Sequence, residues 1–330
     1  MSLPVPFYAL VVDQEKRKTK KGDRFFWQCD LKTIYGTFKS LMWNAPADAE
    51  ESQLFPHTGD IVEVVNFDDQ TAERGSVVIE TGGFERISAK EIPEDHKAIL
   101  DFPKASPEEM DYALGVIGNR SMWKDESNFE FVHQCIGEYD REKWLICPAA
   151  TKVHHNFQGG LVVHTAEVLE FCQAIAEVSL KRYTFINPDV LYAGAILHDI
   201  GKVETYYVND LGVSQQLPTE RTIGHLFYGM SKLQAFADKV GYDQNFVNEV
   251  MHLIASHHGQ PEWGSIKPCL SVEAGILSRA DYLSSRNGMI ESILKESVGA
   301  GLPLQDEFRV YGDPYFASIG MKQYVKEGIK

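Results

Sequence analysis

The sequence predicts a multi-domain chain, an N-terminal β-barrel followed by an all-α helical bundle. Three observations carry this. The chain has 330 residues, roughly twice the commonest domain size, so two domains fit better than one. The first ~95 residues break into short β-rich runs separated by turn residues. From Pro93 onward the apolar spacing becomes helical, with no convincing strand between helices.

Val5 to Val12 is the first β-rich run. Phe25 to Ile34 and Thr37 to Trp43 follow, joined by a Tyr35-Gly36 turn, and Ile61 to Phe67 and Ser76 to Thr81 complete a set of five. Pro46 to Leu54, between the third and fourth runs, has helical composition. Five strands with a helix at that point is the plan of an OB-fold. On the first hairpin, Lys16-Arg17-Lys18-Thr19-Lys20-Lys21-Gly22-Asp23-Arg24 carries six basic residues and one acid, next to Phe25-Phe26-Trp27. A basic loop beside aromatic residues suits single-strand binding, through backbone neutralisation and base stacking. The plainer alternative is a solvated loop beside a core stripe. Residues 1–95 hold 11 basic and 17 acidic residues, a net of −6, which weighs against a strong RNA clamp.

In the second part, Pro107 followed by Glu108 and Glu109 reads as a helix start, with acids facing the positive end of the dipole. Helical length and spacing recur near 107–118, 160–180, 188–200, 221–240, 243–257 and 270–284. The domains expected are residues 1–95 for the barrel and 96–300 for the bundle. Residues 301–330, rich in Gly, Tyr and Phe, form either a strand or a packed tail.

Hydrophobic residues make up 44% and charged residues 24%, which excludes a disordered, collagen-like or coiled-coil protein. Acidic residues outnumber basic ones by 47 to 32. That field disfavours non-specific duplex binding, although a local basic strip or bound metal can still attract phosphate. No run reaches the ~18 apolar residues of a membrane span. Met1 to Asp13 lacks a basic leader and contains Pro4 and Pro6, so a cytoplasmic protein with no membrane partner is expected. The five cysteines (Cys29, Cys135, Cys147, Cys172, Cys269) form no CxxC pair and read as small apolar filler.

The strongest chemical signal is Ile196-Leu197-His198-Asp199-Ile200-Gly201-Lys202, closing an apolar helix. An imidazole and a carboxylate there are costly to bury without a partner, and a metal ion is the simplest one. His164, with Leu161 and Val168 one turn away, points toward the core. His225 opens another apolar helix, the pair His257-His258 closes one, and Asp281 is a lone acid in Ile276 to Leu283. Singly, each is an ordinary packed residue. Five helices each presenting an inward His or Asp is a pattern that packing does not need, and helical bundles build metal sites this way.

The order His164, His198-Asp199, His225, His257-His258, Asp281 resembles the signature of the HD-domain metal-dependent phosphohydrolases. Pro148-Ala149-Ala150, His154-His155-Asn156-Phe157-Gln158-Gly159-Gly160-Leu161 and Ser256-His257-His258-Gly259-Gln260-Pro261-Glu262-Trp263-Gly264-Ser265 narrow this to a resemblance to the YhaM-like 3′-5′ exoribonucleases. That family joins an OB-fold to an HD domain. The resemblance implies that His164, His198, Asp199 and Asp281 hold one metal. It implies that His225 and one of His257 or His258 hold a second, with Asp199 bridging. Because adjacent helical residues diverge by ~100°, His257 is favoured as the ligand and His258 as a phosphate contact or a support for a ligand. Mixed imidazole and carboxylate donors suit Mn, Fe, Co, Ni or Zn better than Mg, with manganese favoured.

A metal-activated water would then attack the phosphodiester. Lys202, one turn past Asp199, would reach the scissile phosphate rather than lie exposed on the surface. His154 and His155 precede a Gly-Gly helix start where free N–H groups would meet phosphate oxygens. Phe157 and Trp263 would stack on bases, and Lys267 would pair with a phosphate. Arg279 and Arg286 flank Asp281 and either touch substrate or neutralise acids. The implied function is 3′-end hydrolysis of single-stranded RNA, with DNA also possible as substrate, and a homo-oligomer is an open expectation. The alternatives are a phosphohydrolase of small nucleotides, a di-iron oxygenase, and a non-catalytic nucleic-acid-binding module.

Overall fold

The computed structural model describes residues 4–19, 25–43, 55–68, 76–79, 83–151, 154–209, 212–299, 304–310 and 313–327. The chain folds as two compact units, Met1–Phe102 with Asn209–Val213, and Pro103–Val208 with Ser214–Lys330.

The first unit contains β1 (Phe7–Lys18), β2 (Phe25–Thr33), β3 (Gly36–Trp43), β4 (Ile61–Val64), β5 (Phe67–Asp68), β6 (Ser76–Ile79) and β7 (Phe84–Ile87). They form one sheet in the order β5-β6-β3-β2-β1-β4-β7. Only the β3–β6 pair is parallel. The fourth expected strand is broken at Val65-Asn66. Its first half, β4, pairs with β1 and its second half, β5, pairs with β6. The sheet is therefore barrel-like without a closed ladder, in the strand order of an OB-fold. Alternation along the strands turns Phe7, Ala9, Val11, Trp27, Cys29, Leu31, Val62 and Val64 into one apolar core. β7, which pairs with β4, escaped the sequence reading because four residues are too few to display alternation. The helix expected over Pro46 to Leu54 and the Lys20 to Arg24 half of the basic run lie outside the described residues.

The second unit contains α1 (Pro107–Ile117), α2 (Glu126–Gly137), α3 (Arg141–Ile146), α4 (Gly160–Leu180), α5 (Pro188–Leu197), α6 (Pro218–Thr222), α7 (His225–Val240), α8 (Gln244–Ser256), α9 (Val272–Gly299) and α10 (Ile319–Glu327). The start of α1 is a capping box, with the Ser106 hydroxyl accepting from the Glu109 N–H and Pro107 in the first turn. Every residue of α5 is buried, the apolar majority by packing and Asp189 by accepting from the Lys124 and Asp125 N–H groups. The helix packs against α2, α4, α8 and α9, and this central position is what brings its C-terminal His198-Asp199 into the middle of the bundle.

Two antiparallel hairpins, β8 (Tyr206–Val208) with β9 (Ser214–Gln216) and β10 (Glu307–Val310) with β11 (Asp313–Phe316), interrupt the helices. Their strands of three or four residues are again below the reach of periodicity. The C-terminal tail is thus hairpin and helix. Gly224, at φ +83°, separates α6 from α7, so the helix expected from 221 starts at His225. Four of the five cysteines are buried and none is bridged. Burial pushes the Cys29, Cys135 and Cys147 thiols up to about 12, in keeping with filler. Among the described residues no helix is long and apolar enough to cross a membrane.

Candidate metal centre

The site begins where α5 ends. His198 is the last residue with helical angles, Asp199 turns away at φ −111° and ψ 2°, and the chain tightens into a 3₁₀ turn over Ile200–Glu204. A Cβ on Gly201 would sit 2.0 Å from the His225 carbonyl oxygen and 2.7 Å from the Gly229 nitrogen. Only glycine lets α7 come this close, and that approach carries His225 to Asp199. Gly160 serves α4 in the same way, because a Cβ there would lie 2.1 Å from the His155 carbonyl oxygen.

The two oxygens of Asp199 face two separate groups of side chains. Oδ1 lies 3.3 Å from His225 Nε2 and 3.6 Å from His257 Nε2. Oδ2 lies 3.4 Å from His198 Nε2 and 3.7 Å from His164 Nε2. His164 Nε2 is also 3.2 Å from Asp281 Oδ1 and 3.3 Å from His198 Nε2. The donors accordingly fall into two sets, Asp199, His225, His257 and His258 in one and His164, His198 and Asp281 in the other.

Hydrogen bonds on the far side of each ring decide which nitrogen faces inward. Nδ1 of His198 meets the Ala195 carbonyl at 2.9 Å, and Nδ1 of His257 meets that of Ile254 at 2.9 Å. Nδ1 of His225 meets Glu220 Oε1 at 2.7 Å, and Nδ1 of His164 meets Ser284 Oγ at 2.9 Å. With Nδ1–H donating outward, each Nε2 lone pair points at the carboxylates. Among the described residues, Asp199 Oδ1, His225 Nε2 and His257 Nε2 are buried without a hydrogen-bond partner. Converging lone pairs repel unless a cation sits among them. Ligand atoms about 2.1 Å from one metal lie about 3.0–3.4 Å apart at tetrahedral or octahedral angles, close to the separations found. These donors could hold a divalent metal.

Charge is arranged to the same end. Burial drives His164 down to about 4 and His258 to about 3, and lowers His257 as well. Burial also opposes a charge on His198, but the Asp199 carboxylate outweighs it and holds this imidazole above its ordinary value. Asp199 is penalised by burial, yet Lys202 and His198 keep its carboxyl well below the usual range. The Asp199 carboxylate thus favours a proton on His198, and any such proton must leave before Nε2 can bind metal. Below its raised pKa, apparent metal affinity is expected to rise about tenfold per pH unit, levelling off above it. Calorimetry below neutral pH in buffers of different ionisation heat should detect proton release on metal binding. Release of none would contradict this assignment.

Lys202 is buried, not exposed. Its ammonium donates to Asp199 Oδ2 at 2.6 Å and to the Ala149 carbonyl at 2.7 Å. It reaches Asp199 through the 3₁₀ turn, not through a continued α-helix. The argument that helical divergence keeps His257 and His258 from one ion does not apply, because α8 ends at Ser256 and the chain turns at Gly259 with φ +86°. The two rings stand 4.3 Å apart, in one donor set.

The N–H groups expected to be free at the start of α4 are also spent, Gly160 on the Phe157 carbonyl and Leu161 on that of Cys147. The His154 and His155 rings do lie beside the site, each 5.3 Å from the His164 ring, and Phe157 packs 5.9 Å from His155. Burial lowers His154 to about 2. Trp263 and Lys267 are exposed, on the segment after His258. Arg279 is exposed as well, while Arg286 binds the Val310 carbonyl and Asp313 and so ties α9 to the β10–β11 hairpin. The sequence reading missed Glu167, Ser284 and Glu220. Glu167 lies one turn beyond His164 and Ser284 one turn beyond Asp281, a spacing that could have exposed both.

An HD domain family model matches residues 161–286, which span every donor. The 3′-5′ exoribonuclease YhaM of Bacillus subtilis (strain 168) is 29% identical over 293 residues, covering 87% of each chain. YhaM of Oceanobacillus iheyensis is 28% identical over 291 residues, covering 87% of this chain and 86% of that one. YhaM of Geobacillus sp. (strain WCH70) is 30% identical over 233 residues, covering 69% and 70%. No solved structure matches.

Proposed function

Since the chain belongs to the YhaM family of HD-domain 3′-5′ exoribonucleases, we propose that it is a metal-dependent phosphodiesterase that removes nucleotides from the 3′ end of single-stranded RNA. The observation that carries this reading is one buried carboxylate, Asp199, with one oxygen turned to each of two histidine sets. His164, His198, Asp281 and Oδ2 of Asp199 would hold one divalent ion, and His225, His257, His258 and Oδ1 a second. Manganese suits this mixture of imidazole and carboxylate.

Two bound ions would supply a water activated at neutral pH and offset negative charge on the phosphoryl oxygens. Lys202 would fix the orientation of Asp199 and, among the described residues, has one N–H left after its two hydrogen bonds, to donate toward the phosphate. His154, His155 and Phe157 flank the His164 side, where they would contact the terminal nucleotides. Trp263 would stack on a base and Lys267 would pair with a phosphate.

The barrel, residues 1–95, would bind single-stranded RNA. Its support is a cross-strand row in which Arg17 pairs with Phe26 and Phe26 with Trp43, the two rings 4.8 Å apart. Lys16 and Lys18 stand over the ring of Phe25.

Incubating the protein with Mn²⁺ and a 5′-labelled single-stranded RNA is expected to give a ladder shortening from the 3′ end, with mononucleotides released. Hydrolysis of free nucleotides while the oligomer stays intact would replace this reading with a nucleotidase.

A further inference from the structure

In each donor set, one imidazole differs from its neighbours in what lies behind it. His198 and His257 rest on backbone carbonyls, which are neutral dipoles. His225, in the set built on Asp199 Oδ1, rests on the Glu220 carboxylate at 2.7 Å. His164, in the other set, reaches a carboxylate through a hydroxyl, since Ser284 Oγ accepts from His164 Nδ1 at 2.9 Å and donates to Glu167 Oε2 at 2.6 Å. A serine hydroxyl has a single proton, so donation to Glu167 leaves only lone pairs for His164 and locks that ring with Nε2 bare.

The fold builds the two arrangements separately. Glu167 and His164 share a face of α4 and Ser284 and Asp281 share a face of α9, one turn apart in each case. Glu220 sits on the short α6, and the break at Gly224 lets it fold back onto the first residue of α7. A negative charge behind an imidazole makes it a stronger donor and fixes its orientation.

We propose that Glu167 and Glu220 are positioning residues that tune the two metal positions independently, Glu167 through Ser284 and His164, and Glu220 directly through His225. This rests on the two-ion reading of the site. Glu167 also lies 3.4 Å from His155 Nε2, so it ties the first position to the His154-His155 loop.

The test is a Mn²⁺ titration of the full chain, followed by the electron paramagnetic resonance signal of the free ion. Wild type is expected to bind in two steps. Glu167→Gln should weaken one step by about 10–100-fold and leave the other within a few-fold, and Glu220→Gln should weaken the other. Ser284→Ala should reproduce Glu167→Gln. Weakening of the same step by both glutamate variants, or of neither step, overturns the proposal. If Glu167→Gln loses both steps through misfolding, Ser284→Ala decides: selective loss of one step upholds the proposal and loss of both or neither overturns it. A wild type that binds no Mn²⁺ in either step defeats the two-ion reading itself, a different outcome from two steps that the variants fail to separate.

Discussion

Replacing Asp199 with asparagine is expected to cut RNA hydrolysis by at least ~10³-fold, on the order of the loss when a preorganised charge-stabilising group is removed from a catalytic site. The substitution keeps the shape and removes the charge. That charge faces both donor sets, with Oδ1 toward His225 and His257 and Oδ2 toward His164 and His198, so both ions should bind more weakly. An amide also presents N–H where a bare oxygen now stands, aimed at Nε2 lone pairs or at the Lys202 ammonium. The measurement is the initial rate on a 5′-labelled RNA with Mn²⁺ at saturating and limiting concentration, beside circular dichroism to establish the fold. A folded Asp199→Asn protein with more than a tenth of wild-type activity would refute the bridging role.

The second large effect concerns stability. Lys202→Met removes the cation that offsets Asp199 at 2.6 Å in a site where both groups are almost fully buried. Deleting one partner of a buried ion pair costs about 3–5 kcal/mol, because the other charge is left uncompensated. In chelator this should lower the melting temperature of the helical unit by roughly 6–20 °C. With metal present the ions take over as counter-charge, so the loss should shrink. Equal losses with and without metal would mean that Lys202 does not neutralise Asp199. The pH dependence has a definite sign too. His154, His164, His257 and His258 are all lowered, so the unfolded chain takes up protons that the folded one refuses. Stability from these groups is present above about 6.5 and drains away as the pH falls toward their folded values.

Much of the second unit was legible because its information is local. The apolar period located α1, α4, α5, α7, α8 and α9, and Pro107 marks a helix start by residue chemistry. α2 and α3 were not found. In α2 the run Phe129-Glu130-Phe131-Val132 alternates like a strand, and only packing against α5 settles it as helix. The four-residue strand β7 and the two small hairpins fall below any period. In the barrel, the parallel pairing of β3 with β6 joins segments more than thirty residues apart, and no short-range pattern encodes it.

For the site, the residue types and their order were enough to identify the inward imidazoles and acids, because a His or Asp on an otherwise apolar helical face stands out against hydrophobic neighbours. What stands behind each ring came only from tertiary structure. Glu220 shows why: it is five residues from His225 but on a different helix, and it reaches that ring only because the chain bends at Gly224. Sequence spacing fixes directions within one helix, whereas coordination depends on where several helices cross, and those crossings are set by side-chain packing between segments far apart in the chain.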